Sequence, residues 1–151
     1  MKSWIVMDLD GTLCDCSHRV HWAQAKEWDQ FHAGIPEDKP NPDAVFFLEA
    51  IERLDRHNVI ICTGRDERQS NATWSWLYAY NLGRFFEAAL FRPEGDRSPD
   101  HELKLRLVSE FFGSQEAALN NVSLVLDDRD KVVEAWRDAG FRCWQVAAGS
   151  Y

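Results

Sequence analysis

Five short apolar runs separated by longer amphipathic stretches restrict the fold of this chain more than any other feature. The runs are Trp4-Ile5-Val6-Met7, Val59-Ile60-Ile61-Cys62, Ala88-Ala89-Leu90-Phe91, Val122-Ser123-Leu124-Val125-Leu126, and Phe141 to Val146. The first, second and fourth are apolar almost throughout, which suits strands covered on both faces. Strands alternating with helices imply a mainly parallel sheet with right-handed crossovers. The sequence therefore predicts an α/β fold with a five-stranded, mainly parallel sheet. The length of 151 residues fits a single domain, 1–151, with a sizeable core.

Helical patterns fill the intervals. Asn41 is placed to cap a helix with Pro42 at its first position, and Ala44, Phe47, Leu48, Ile51 and Leu54 mark its apolar face. A second helix is predicted from about Glu67 to Tyr80, carrying Trp74, Leu77 and Tyr78. Trp74 and Trp76 are two apart on it, so at least one faces outward. Ser98-Pro99 open a third, with Leu103, Leu107, Val108 and Phe111 inward and Gly113 as its stop. The last runs from about Asp130 to Ala139, with Val132, Val133 and Trp136 inward before Gly140.

Residues 14–40 break the pattern: they hold Trp22, Trp28, Phe31 and a Pro-rich end without a strong period. A stretch this long with no clear element is often functional. It is expected to form a small insert or flap bordering the site. Its aromatic residues either pack on the domain, the commoner use, or stack on bases as in single-strand binders.

The formal net charge of -8 argues against an unaided electrostatic grip on nucleic acid, which needs clustered basic residues. A local basic groove is compatible with it. Cys62 and Cys143 lie in strand-like runs and read as buried thiols. Cys14 and Cys16 form a lone C-x-C, with His18 and His21 nearby but without the second pair that zinc favours. No signal-peptide pattern and no apolar run of membrane-spanning length is present. A soluble, reduced, cytoplasmic protein is expected.

The notable polar residues collect where the strands end, which is where open parallel sheets bind ligands. Asp8 and Asp10 follow the first run, Thr63-Gly64-Arg65 the second, Arg92 the third, and Asp127-Asp128 the fourth. A carboxylate attacks phosphorus once a cation masks the charge repulsion, and a second carboxylate can move the proton. Asp8 and Asp10, followed by Gly11-Thr12, fit those two roles. Asp127 and Asp128 fit Mg²⁺, which takes a few carboxylates plus water and phosphate oxygens. They also suit the start of the following helix. Thr63 and Arg65 offer a hydroxyl and a cation to phosphoryl oxygens, although Thr-Gly-Arg is common in ordinary turns. Lys104 either faces a phosphoryl group or pairs on the surface with Asp100, one turn earlier; the helix alone favours the surface pair.

In combination these motifs resemble the haloacid dehalogenase superfamily of phosphotransferases. Asp8-Leu9-Asp10-Gly11-Thr12-Leu13 looks like its first motif, Thr63 its second, Lys104 its third and Asp127-Asp128 its fourth. Asp127-Asp128-Arg129, Val132-Val133-Glu134-Ala135-Trp136-Arg137 and Cys143-Trp144-Gln145-Val146-Ala147 further resemble the 3′-phosphatase domains of bacteriophage polynucleotide kinase-phosphatases. The resemblance implies a Rossmann-like three-layer sandwich with a minimal cap or none. It implies that Asp8 is nucleophile and metal ligand, and that Asp10 is general acid/base and binds metal through its backbone carbonyl. Asp128 would be the direct Mg²⁺ ligand with Asp127 beside it, and Thr63 and Lys104 would hold the phosphoryl group. Arg19, Arg65, Arg92 and Asp100 match substrate-site positions, and the Asp100–Lys104 pair gains weight.

The implied substrate is a polynucleotide 3′-phosphate end, in a bacterial or phage setting. A nucleotide or other small phosphomonoester is the alternative, and a non-catalytic domain on the same fold is a third. The sequence has no G-x-x-x-x-G-K-[ST] loop, so an accompanying kinase activity is not expected.

Overall fold

The computed structural model describes residues 1–150. Its main sheet comprises β1 (Ser3–Met7), β4 (His57–Asp66), β5 (Ala88–Arg92), β6 (Val122–Asp127) and β7 (Cys143–Gln145). A separate two-stranded ribbon joins β2 (Cys14–Asp15) to β3 (Lys39–Pro40). The main sheet has the order β5-β4-β1-β6-β7, and every pairing in it is parallel. Each of the five apolar runs is a strand. The three most apolar runs occupy the three central positions, as burial on both faces requires.

Alternation along β1 explains the layers. Ile5 and Met7 face one core, with Leu9, Leu48, Trp76 and Leu77. Val6 faces the other, with Ile60, Leu103, Leu107, Val132 and Trp136. The first core lies under α3 (Pro42–Leu54) and α4 (Ser70–Ala79). The second lies under α5 (Asp100–Phe112), α6 (Gln115–Asn121) and α7 (Asp130–Asp138). Each fully buried Leu, Ile or Val contributes about 1.5–3 kcal/mol.

Several local expectations change. Asn41 occupies the N-cap position of α3 ahead of Pro42, but its side chain makes no capping bond; its Nδ2 donates to the Thr12 carbonyl at 2.8 Å, tying the helix start to the loop after β1. Leu54 and Phe111 sit at helix ends and stay 60 % and 40 % exposed, although their spacing put them inward. Phe111 instead meets the Trp4 ring edge-on. Of the paired tryptophans on α4, Trp76 is buried, and Tyr78 of the same helix is exposed. α6 was not expected: Gly113 ends α5 with φ of 96°, and Ser114 restarts the helix by accepting from the Ala117 amide at 3.0 Å.

Residues 14–40 form the ribbon, two short helices, α1 (Val20–Gln24) and α2 (Trp28–Ala33), and flanking 3₁₀ turns. No residue of α1 or α2 is buried. The insert is anchored by Leu13, Cys14, Cys16 and Ile35, all buried, and by the Trp76 indole donating to the Asp38 carbonyl at 2.9 Å. The histidines near the C-x-C are engaged otherwise: His18 bonds Asp38 at 2.8 Å and the His21 ring lies on Trp22.

Candidate active site

β1 delivers Asp8 to the carboxyl end of the sheet. The Asp8 amide donates to the Leu126 carbonyl at 3.0 Å, extending the ladder with β6 by one residue and fixing where the side chain emerges. Gly11, at φ of 83°, turns the chain back. Thr12 then returns to donate its hydroxyl to Asp8 Oδ2 at 3.2 Å.

Lys104 reaches the same point from α5. Its Nζ stands 2.8 Å from Asp8 Oδ1 and 2.8 Å from Asp127 Oδ2, and all three residues are buried. The surface-pair reading of Lys104 is therefore overturned. Asp100 serves other partners: it accepts from Arg92 and, at 2.5 Å, from Arg129 Nη1. Burial disfavours the Lys104 charge, but Asp127 and Asp8 outweigh it and hold the ammonium well above its ordinary value. Asp8 is pushed well above the usual carboxylate range by burial and by Asp127, with Lys104 pulling the other way.

One oxygen from each of Asp8, Asp127 and Asp128 lies within 4.8 Å of the others. Three carboxylates facing one ammonium carry two negative charges in excess when ionised. An all-oxygen, doubly negative pocket fits a hard divalent cation. Asp127 is already committed: Oδ2 to Lys104, and Oδ1 to the Asp128 and Arg129 amides at 2.9 and 3.4 Å.

The Asp10 side chain stands apart from that trio. Its Oδ1 accepts from Arg19 Nη2 at 2.5 Å and Arg65 Nη2 at 2.6 Å, and its Oδ2 from Arg65 Nε at 3.0 Å. Burial opposes ionisation of Asp10, but the two guanidinium groups win and hold it well below the usual carboxylate range. Behind them sits Asp38, fully buried, accepting from Arg19 Nε at 2.8 Å and Nη2 at 2.6 Å, and from Arg65 Nη2 at 3.4 Å. Arg65 Nη1 also donates to Thr73 Oγ1 at 2.9 Å. Arg19 and Arg65 thus form a buried clamp on Asp10.

Thr63 is buried beside this clamp, and its Oγ1 accepts from the Arg65 amide at 3.1 Å. Arg92 Nε donates to the Gly64 carbonyl at 3.1 Å, and its Nη1 donates to the Ser98 carbonyl at 2.6 Å. A Cβ at position 64 would stand 2.7 Å from an Asp100 oxygen, so any larger residue there would displace the Asp100 carboxylate. Arg92, Asp100 and Arg129 thereby make a partly buried ion-paired rim next to the acidic pocket, with two cations to one carboxylate.

Sequence reasoning missed Asp38 and Arg129 as members of this constellation. Asp38 lies in a segment with no period to place it. Arg129 carried a faint signal, because it directly follows the Asp127-Asp128 pair.

The model of the polynucleotide kinase PNKP phosphatase domain matches residues 2–151. The chain belongs to this family. It is accordingly a phosphatase domain of the haloacid dehalogenase superfamily. Among solved structures, a chain in the Pnkp1/Rnl/Hen1 RNA repair complex superposes with a TM-score of 0.81 at 24 % identity. That match covers 99 % of this chain but 44 % of the other, so the present chain spans less than half of its relative's length. A haloacid dehalogenase-like hydrolase from Streptococcus pneumoniae gives a TM-score of 0.67 at 14 % identity, covering 97 % of this chain and 87 % of its own. A predicted phosphatase from Clostridium acetobutylicum gives 0.66 at 13 % identity, over 99 % and 94 %. These likenesses show the shared α/β fold. No helix among the described residues is long and apolar enough to cross a membrane.

Proposed function

We propose that the domain is a Mg²⁺-dependent phosphomonoesterase that removes 3′-phosphates from polynucleotide ends through a phospho-aspartate on Asp8. The observation that carries the chemistry is the pairing of two unlike carboxylates. Asp8 is buried against Lys104 at 2.8 Å, while Asp10, two residues on, is clamped by two arginines.

Asp8 is the nucleophile. One of its oxygens forms a bond to phosphorus as the bond from phosphorus to the substrate oxygen breaks. Lys104 and Thr63 stabilise the phosphoryl oxygens. Mg²⁺, held by Asp8 and Asp128 with the Asp10 carbonyl, would screen the repulsion between carboxylate and phosphate. Asp127 positions Lys104 through its committed Oδ2.

Asp10 handles the proton. The departing oxygen takes a proton from Asp10; water then attacks phosphorus, returns a proton to Asp10, and frees phosphate and Asp8. The arginine clamp favours the ionised state, which is the one that accepts a proton from water. Acting as an acid first requires the clamp to loosen. An incoming phosphate is itself an arginine ligand and competes for Arg19 and Arg65.

A polynucleotide end as substrate draws support from the family membership and from the partly buried Arg92 and Arg129 beside the pocket. The assay is phosphate release from a 3′-phosphorylated oligonucleotide with Mg²⁺. Release that stops on chelation and in Asp8→Asn is expected. Turnover of free nucleotides with none from DNA or RNA ends would overturn the substrate and leave a nucleotidase. Full activity in Asp8→Asn would overturn the mechanism.

A further inference from the structure

The insert exposes aromatic surface that folding does not account for. Trp28 is 53 % exposed and Trp22 is 38 % exposed, on helices that bury no residue. The insert is held to the domain by Ile35 and Asp38 instead, so neither tryptophan is needed as an anchor. Phe46, Tyr78 and Trp144 are as exposed elsewhere on the molecule, so exposure alone does not single out the insert; its connection to the Asp10 clamp does.

Trp28 is connected to the reacting carboxylates by an unbroken series of contacts. Its ring meets Phe31 edge to face, with centroids 6.0 Å apart. The Phe31 ring in turn carries the Arg19 guanidinium at 4.2 Å, and Arg19 reaches Asp10 at 2.5 Å. The exposed indole is therefore held in fixed relation to Asp10, one helical turn of α2 and one arginine away.

Charge argues for what lies on it. A chain of net charge -8 repels a polyanion at long range, so backbone electrostatics alone give it a weak hold on a nucleic-acid strand. Base stacking on an aromatic ring is indifferent to that charge and tolerant of sequence. We infer that Trp28 stacks on a base within the last two nucleotides of the substrate, setting the 3′ end against Asp8. The inference rests on the proposal that the substrate is a polynucleotide end.

Three oligonucleotides carrying a 3′-phosphate test it: one intact, one with a tetrahydrofuran abasic analogue at the last position, one with it at the next. For wild type, one of the two abasic substrates should show a raised KM. Trp28→Ala should raise KM on the intact substrate about 5- to 100-fold with kcat kept, the range expected for losing one base stack. It should leave KM unchanged on the sensitive abasic substrate. Trp28→Phe should retain most of the affinity. Circular dichroism confirms that both variants fold. An unchanged KM in Trp28→Ala, or an equal rise on all three substrates, would overturn the stacking role while the 3′-phosphatase reading stands. If wild type hydrolyses none of the three yet cleaves free nucleotides, the substrate reading fails, and the stacking role goes with it.

Discussion

At the residue scale, the site turns on how two aspartates of one short segment acquire opposite environments. Asp8 shares a buried pocket with Asp127, Asp128 and a single ammonium, and its charge is disfavoured. Asp10 faces two guanidinium groups, and its charge is favoured. Removing Lys104 would leave Asp8 and Asp127 buried without their cation. Lys104→Met is expected to abolish turnover and to destabilise the fold by about 3–5 kcal/mol, the usual cost of breaking a buried pair from one side. Urea unfolding alongside the phosphate-release assay checks both; retention of wild-type stability would contradict the role given to this ammonium. Asp10 makes a prediction of a different form. Its folded-state value is depressed, so its contribution to stability is present above the unfolded carboxylate value of about 4 and lost as pH falls from there toward the folded value. The stability gap between wild type and Asp10→Asn should be full at pH 7 and shrink below about pH 4. Unfolding curves across pH 3–7 measure it, and a gap that widens on acidification would refute the clamp.

The element that joins these residues is the insert. It supplies Arg19 and Asp38, and its only charged tie to β4 runs, among the described residues, through Arg65 to Asp38. Asp38→Asn removes a buried anion that faces two arginines, and it should cost both stability and phosphatase rate. If the rate fell with stability intact, the insert would be a positioning device alone. The same element marks where the sequence stopped being readable. The central strands and most helix spans follow from local pattern, because burial on two faces or one leaves a periodic trace. So do Asp8, Thr63 and Asp127, because strand ends fix where they point. The burial of Lys104 left no trace in the local pattern, since a lysine on a Leu-rich helix reads the same whether it meets water or two carboxylates; only its match to the third family motif pointed inward. Asp38, and the inward turn of Arg19 and Arg65, depend on contacts between residues 9 to 55 apart, which leave no periodic signature.

For the molecule as a whole, the cysteines report on cooperative opening. All four are free and buried, spread over the insert, the central sheet and the edge strand β7. Burial pushes Cys16 and Cys143 up to about 12, and it raises Cys14 and Cys62 as well. Thiols need to be ionised to react, so at pH 8 none of these presents the reactive form while the fold is closed. Because the folded values are raised, the thiols' contribution to stability is complete below the unfolded value of about 8.5 and fades as pH rises toward 12. A chromogenic thiol reagent at pH 8 should therefore label the native domain slowly and reach four equivalents in denaturant. With Cys14 and Cys16 at the root of the insert, the pattern of labelling separates two modes of opening. If the insert lifts independently, these two label first and Cys62 and Cys143 follow only on global unfolding. The Arg19–Asp38–Arg65 clamp predicts otherwise: the insert and sheet open together, and all four thiols share one rate that tracks stability as denaturant is added.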